Sequence, residues 1–266
     1  MQTDKQLLKA LLAMSAGLDP VRCAVVHPCE AGSLQGALEA GEAGLIIPVL
    51  IGPEARIRQV AAQIGADISG IELVTTPYSH AAAEVAVEMA VQGRVEALMK
   101  GSLHTDELMH AALSNRDFRT KRRMSHIFRF EVPLYEKPLL ITDAALNIRP
   151  TLADKLDIVQ NAIELAQILG IKLPRVAILS AVETVNPAIP STIDAAALCK
   201  MADRGQITDA ILDGPLAFDT AISGEAAAIK HITSSVAGVA DILVVPDLES
   251  GNMLAKQLEY LRPRAL

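Results

Sequence analysis

With 266 residues, 51% of them hydrophobic, the chain can bury a large core, either as one big α/β domain or as two smaller lobes. Its formal net charge of -7, with three Tyr, four Phe and no Trp, argues against general nucleic-acid binding and leaves few platforms for stacking bases. No apolar run reaches the ~18 residues that a membrane span needs, because "GLIIPVLIG" and "DILVVP" break at Pro, Gly or Asp.

The mean hydropathy of +0.32 is therefore read as Ala, Val, Ile and Leu in strands buried on both faces, together with an apolar subunit interface. At the N-terminus, "MQTDKQLLKALLAM" predicts an amphipathic helix rather than a signal peptide, since Asp4 and the interspersed Lys residues spoil both the charged leader and the apolar stretch. A cytoplasmic protein is expected. Further on, strand-like runs alternate with amphipathic ones: "RCAVVHP" then "SLQGALEAGEAG", "LIIPVLIG" then "PEARIRQVAAQIG", "IELVTT" then "SHAAAEVAVEMAVQG", "VEALMKG" then "TDELMHAAL". This is the βαβ signature of a parallel sheet.

From Asn115 to Asp143 the texture changes to clustered bases and two strand-like runs, after which the alternation resumes through "RVAILSA", "DAILDGP" and "DILVVPD". Two α/β lobes, 1–138 and 139–266, account for this better than one continuous sheet. Cys23, Cys29 and Cys199 have no metal-site spacing and cannot pair completely, so reduced and mostly buried thiols are expected.

The familiar phosphate and nucleophile motifs are absent: no G-x-G-x-x-G after a strand, no G-x-x-x-x-G-K-[ST], no G-x-S-x-G and no H-E-x-x-H. His80, His110 and His231 fall on helix-like stretches, where an imidazole is ordinarily solvated or packed. The joint "MKGSLHTDELM" is more informative. A strand ends at Lys100, and Gly101, Ser102, His104 and Thr105 line the turn into a helix, with Thr105 or Asp106 as candidate N-cap. Strand carboxyl ends are where parallel α/β lobes collect ligands, and a helix N-terminus adds about half a positive charge. An ordinary turn with a surface Lys and a cap fits the same residues.

Arg116, Arg119, Lys121, Arg122 and Arg123 crowd the next loop. Such a run is usually solvated, yet in an acidic chain, one helix after the Lys100 turn, it also suits an anion site, because guanidinium groups grip phosphate oxygens in pairs. In the second lobe, polar residues recur at strand ends: Asp143 and Asn147, then Ser180, Glu183 and Thr184, then Asp213 and Asp219, then Asp247, Glu249, Gly251 and Asn252. Each alone is an N-cap or turn candidate; four such joints suggest a polar rim.

"MKGSLHTDELM", "TKRRMSHIF", "LLITDAALNIRPTLADKLDIVQNAIELA", "ILSAVETVNPAIPSTIDAAAL", "LDGPLAFDTAIS" and "VAGVADILVVPDLESGNMLAKQLEYL" resemble, in order from about Cys23 to Leu261, the phosphate acetyltransferase and phosphate butyryltransferase family. The resemblance implies two three-layer αβα lobes with largely parallel sheets and a cleft between them, similar to the isocitrate and isopropylmalate dehydrogenase fold, in a homodimer. It implies reversible transfer of a short acyl group, acetyl to butyryl, between coenzyme A and inorganic phosphate. Coenzyme A is then a substrate, acyl-coenzyme A and phosphate or acyl phosphate are the partners, and no metal or permanently bound cofactor is expected. A decarboxylating dehydrogenase on the related fold is disfavoured, since no nicotinamide motif is present.

In that chemistry a phosphate dianion meets negative charge developing at a thioester carbonyl, so cations must hold the first and donors stabilise the second. Lys100, Arg122 and Arg123 are the catalytic candidates on the phosphate side, with Arg119 beside them. Gly101, Ser102, His104, Thr105, Ser125, Asp143, Asn147, Ser180, Glu183, Asp213, Asp247, Gly251 and Asn252 are the further substrate-binding candidates. In reverse, a thiol with a pKa of roughly 8.5 needs a base. Direct attack in a ternary complex is expected, since no nucleophile motif supports a covalent acyl-enzyme. Family members continue past the "PDLESGN" helix with a strand and helix bearing a Ser-Arg pair and an Asp, where this sequence reads "RPRAL". The expectation is a second lobe without that return, and one missing transition-state donor costs about 3 kcal/mol. A catalytically impaired acyl-coenzyme A or acyl-phosphate binding protein is the alternative.

Overall fold

The computed structural model describes residue 9 and residues 12–261. Most of the predicted N-terminal helix, and the "RPRAL" ending, lie outside the described residues. The chain divides into two compact units, Ala13–Lys121 and a second running from Arg122 onward.

The first unit contains β1 (Val21–Val26), α1 (Ala31–Glu42), β2 (Ile46–Gly52), α2 (Glu54–Ile64), β3 (Glu72–Thr75), α3 (Ser79–Val91), β4 (Ala97–Lys100) and α4 (Thr105–Ser114). Its sheet is parallel throughout, in the order β3-β2-β1-β4. Because side chains alternate across a strand, each of its buried strands feeds two cores. Ala24, Val26, Val49 and Ile51 pack against Ala82, Ala83, Ala86 and Met89 of α3. Val25 and Leu50 pack on the other face, with Leu34 and Ala37 of α1 and Ile57, Val60 and Ala61 of α2. The result is a three-layer αβα unit whose strands had to be apolar without alternation. Pro48 is tolerated in the central β2 because pairing with β3 begins only at Val49, so its missing N–H leaves no gap in that ladder.

The second unit contains β5 (Ile127–Phe130), β6 (Leu139–Thr142), α5 (Leu152–Ile168), β7 (Arg175–Leu179), α6 (Pro190–Asp203), β8 (Ile211–Leu216), α7 (Phe218–Ile222), α8 (Gly224–Ile229), β9 (Ile242–Val244) and α9 (Leu248–Leu261). The order is β5-β6-β9-β7-β8, parallel except for β5, which runs against β6. Residues 122–138, which the sequence reading counts with the first lobe, lie with this sheet: the β5–β6 ladder from Ile127↔Thr142 to Phe130↔Leu139 ties them to it. Leu140, Val176, Ile178, Ile242 and Val244 face α5 and α6, whereas Ile141, Ala177, Leu179 and Leu243 face Ala221 of α7 and Ala255 of α9.

The longest helix, α5, begins in a capping box: Thr151 Oγ1 accepts from Asp154 N at 3.2 Å, and Asp154 Oδ2 accepts from Thr151 N at 2.9 Å. Val159, Ala162, Ile163 and Ala166 then form the stripe that meets the sheet.

These connections position the functional loops. The helices that follow β1 and β4, neighbours in the first sheet, cover opposite faces, and the same holds for β6 and β9 in the second. Chains parting in this way open a crevice beyond the strand carboxyl ends, and this is where ligands gather in open α/β sheets. Ile141 is wholly buried in the core on the α9 side. Ile141→Ala is expected to lower stability by about 2–5 kcal/mol, read as a fall in the denaturant midpoint.

Candidate functional site

In the first unit the predicted turn is a locked junction between the ends of β1 and β4. Gly101 N donates to Val26 O at 2.9 Å and Ser102 N to His27 O at 2.9 Å. A Cβ on Gly101 would lie 2.4 Å from Val26 O and 2.6 Å from His27 O, so only glycine lets the two backbones approach this closely. Ser102 Oγ donates to His27 O at 2.8 Å and accepts from Cys29 N at 3.0 Å. His27, buried and held at φ 55, places Nδ1 3.2 Å from Ser102 O; a carbonyl only accepts, so this contact puts a proton on Nδ1.

Lys100 Nζ donates to Leu103 O at 2.7 Å and Gly101 O at 3.3 Å, closing its own turn. His104, not Thr105 or Asp106, occupies the N-cap position of α4, and its side chain makes no capping hydrogen bond, because the helix starts one residue earlier than its polar residues suggest. Lys100, Gly101, Ser102, His104 and Thr105 are thus brought together. Arg119 is elsewhere in this unit: its Nε and Nη2 donate to Leu113 O, at the far end of α4. With a rise of about 1.5 Å per residue, that is about 12 Å from Thr105, so the guanidinium serves as a cap on the helix's last carbonyls.

The second unit brings Arg123, Ser125, Asp143 and Asn147 together. Asp143, 2% exposed, accepts from the backbone N–H groups of Ala145 at 3.1 Å, Leu146 at 3.0 Å and Asn147 at 3.1 Å. Asn147 Nδ2 donates to Asp143 Oδ2 and to Met124 O, while its Oδ1 accepts from Arg123 Nε at 2.7 Å. Asp157 Oδ2 accepts from Arg123 N, and Asn161 Nδ2 reaches both Arg123 O and Ser125 Oγ. Arg122 is paired with Glu164 at 2.6 Å on the outer face of α5. His126 sits beside this loop with its imidazole held below the ordinary range by burial, against the pull of Asp143.

Across the β6/β9 parting, Asp247 caps α9 by accepting from Ser250 N at 2.8 Å. Burial pushes its carboxyl up, but the Ser250 bonds and the charges of Lys155 and Arg149 outweigh this and leave it low. Gly251 presses against the loop after β6: a Cβ there would lie 2.6 Å from Val245 Cγ2 and 3.0 Å from Ala144 Cα. Asn252 Nδ2 reaches Ala144 O at 3.4 Å.

Ser180, after β7, shares a 2.8 Å hydrogen bond with Ser191 of α6. Glu183 is taken up by Lys230 Nζ at 2.9 Å and Thr220 Oγ1 at 3.2 Å. Lys230 also meets Asp219 at 3.0 Å, and its hydrogen bonds hold both carboxyls below their ordinary values. Asp213 accepts from Gly214 N and faces Cys199, whose thiol is pushed up to about 12 by burial, with Asp213 and Asp203 adding to it. All three cysteines are free thiols. Lys155 and its partner Asp194, 2.7 Å apart, were not among the sequence candidates; the position of Lys155 on the apolar stripe of α5 was the available signal.

Fold and loops together define an α/β protein whose polar and charged groups gather at the carboxyl ends of parallel strands. Residues 79–263 match the family model described as "Phosphate acetyl/butaryl transferase", and the chain belongs to that family. It is 60% identical over 252 residues to a phosphate acetyltransferase of Rhizobium meliloti, covering 94% of this chain and 80% of that one. It is 41% identical over 228 residues to a phosphate butyryltransferase of Clostridium acetobutylicum, covering 85% and 76%. Among solved structures, a branched-chain phosphotransacylase from Enterococcus faecalis V583 superposes with a TM-score of 0.75 at 31% identity, covering 90% of this chain and 84% of that one.

Two outcomes follow from the geometry. Ser102→Ala leaves Cys29 N without its 3.0 Å acceptor, and should cost about 1–3 kcal/mol in denaturant unfolding. Lys230→Met should flatten the acid limb of stability. Glu183 and Asp219 have depressed carboxyls in the folded chain, so their contribution is present above about pH 4.3 and is lost as pH falls through the folded values. Wild type should therefore exceed the variant at neutral pH and converge with it in acid, by stability curves across that range.

Proposed function

We propose that this protein is a phosphate acyltransferase, moving a short acyl group, acetyl to butyryl, reversibly between coenzyme A and inorganic phosphate by direct attack in a ternary complex. The observation that carries the reading is its 60% identity, over 94% of the chain, to a phosphate acetyltransferase. Coenzyme A is a substrate here, and no permanently bound cofactor takes part. The partners are acyl-coenzyme A and phosphate, or acyl phosphate in reverse. Among the described residues no helix is long and apolar enough to cross a membrane; the protein works in the cytoplasm, as a homodimer that covers exposed apolar side chains such as Leu134, Ile148 and Ile229.

On this reading Arg123 holds the phosphate in the second unit, and the loops there that carry Asp143, Asn147, Ser180, Glu183, Asp247 and Asn252 receive the remainder of the substrates. Arg123 is the best supported of the cations. Its Nε is fixed by Asn147, while among the described residues its Nη1 has only a 3.7 Å contact with Asp154, so the fork is oriented and not consumed. Phosphate then needs only to be oriented beside the thioester carbon, a gain equivalent to several kcal/mol of barrier without any covalent intermediate.

The test is release of coenzyme A thiol from acetyl-, propionyl- and butyryl-coenzyme A, with and without phosphate and with a chelator present. Phosphate-dependent release, unaffected by the chelator and reduced ~100-fold in Arg123→Ala, is expected. Release that ignores phosphate, or none from a folded protein, would overturn the assignment.

A further inference from the structure

Lys155 is the buried cation of the second unit, 5% exposed and seated on the core-facing side of the first turn of α5. An ammonium has three donors, and burial without acceptors is costly. Among the described residues Nζ has one acceptor, Asp194 Oδ2 at 2.7 Å, in the first turns of α6. Two donors remain unspent in a nearly dry place. A residue bound only for stability would more economically be apolar, since buried ion pairs seldom outdo a hydrophobic replacement.

Its location explains the exception. In a βαβ unit each helix begins at the carboxyl end of the strand before it, so the first turns of α5 and α6 stand above the carboxyl ends of β6 and β7, with β9 between them. The Lys155 side chain bridges these two turns, and its charge acts on Asp247, which follows β9 and caps α9; Ser180 meets Ser191 at 2.8 Å at the neighbouring end of β7. Asp194 keeps 29% of its side chain exposed, so solvent reaches the pair from the Asp194 side.

Charge selects which substrate atom belongs there. Asp194 and Asp247 offset the charges of Lys155 and Arg149, which favours a neutral acceptor over a phosphate dianion. A neutral carbonyl that becomes negative only while reacting suits it. We propose that Lys155 contacts the substrate in acyl transfer, its ammonium donating a hydrogen bond to the acyl carbonyl oxygen; the inference rests on the acyltransferase reading. A phosphate oxygen bonds to the carbonyl carbon and the C=O pair moves onto the oxygen facing Lys155. The pair then returns, the C–S bond breaks with its electrons on sulfur, and coenzyme A leaves as thiolate. Lys155 keeps its proton throughout.

The experiment compares wild type, Lys155→Met, Asp194→Leu and the double variant K155M/D194L, by steady-state kinetics and by the infrared carbonyl stretch of bound 13C-acetyl-coenzyme A. Loss of kcat by ~100-fold or more in Lys155→Met is expected, with KM for phosphate nearly unchanged. The double variant should recover thermal stability without recovering kcat, and the downshifted carbonyl band of wild type should move back in both Lys155 variants. Near-normal kcat in the double variant would show that Lys155 only neutralises Asp194 and would overturn the proposal. A raised KM for phosphate with kcat kept would move the ammonium to the phosphate and overturn the carbonyl assignment. If wild type shows no phosphate-dependent release, the acyltransferase reading fails, whereas the band still reports whether Lys155 meets a bound carbonyl.

Discussion

The second unit's loops depend on one buried charge. Asp143 is almost wholly removed from solvent, and a carboxylate there is tolerable only if donors replace the water it lost. It takes three consecutive backbone N–H groups and the Asn147 amide, and so wraps the chain after β6 into a tight coil around itself. Everything nearby is fastened to that coil. Asn147, held by Asp143, fixes Arg123 and Met124; Ala144, inside the coil, is the wall against which Gly251 brings the first turn of α9. A sheet whose neighbouring strands β6 and β9 send their helices to opposite faces supplies the opening, and Asp143 sets the shape of its rim.

Among its described residues, the first unit reaches a comparable result without a buried carboxylate. There Gly101 removes the Cβ that would keep β1 and β4 apart, and Ser102 satisfies the backbone that the approach exposes. Both solutions put rigid backbone, rather than flexible side chains, at the strand ends. For the proposed direct transfer, which places two substrates side by side, such rigidity is the property that counts.

Much of this was legible in the sequence. Runs such as "RCAVVHP" and "LIIPVLIG", too apolar for one-sided strands, announce a parallel sheet covered on both faces, and the joint at Lys100 stands out as a strand end. The clustered-base segment also reads correctly as different in kind, since it leads into the antiparallel β5. What the sequence hides is long-range pairing. Nothing local says that Ser102 will bond Cys29, 73 residues earlier, or that Arg119 will turn back onto Leu113. Asp247 looks like an ordinary cap and is one, yet it also stands at the edge of the β6/β9 parting. Lys155 is concealed for a different reason: in "ADKLDIVQNAIELA" it reads as one charge among several, and only the helical phase it shares with Val159 and Ala162 betrays its burial.

The central proposal is that substrate binds at the carboxyl ends of β6, β9 and β7. Amide hydrogen exchange of the intact protein, with and without saturating coenzyme A and phosphate, tests it most directly, because it reads protection at backbone groups without any substitution. Slowed exchange concentrated at residues 143–147, 180–183 and 247–252 is the predicted result. Protection confined to the opposite ends of these strands, with those three loops unchanged, would contradict it.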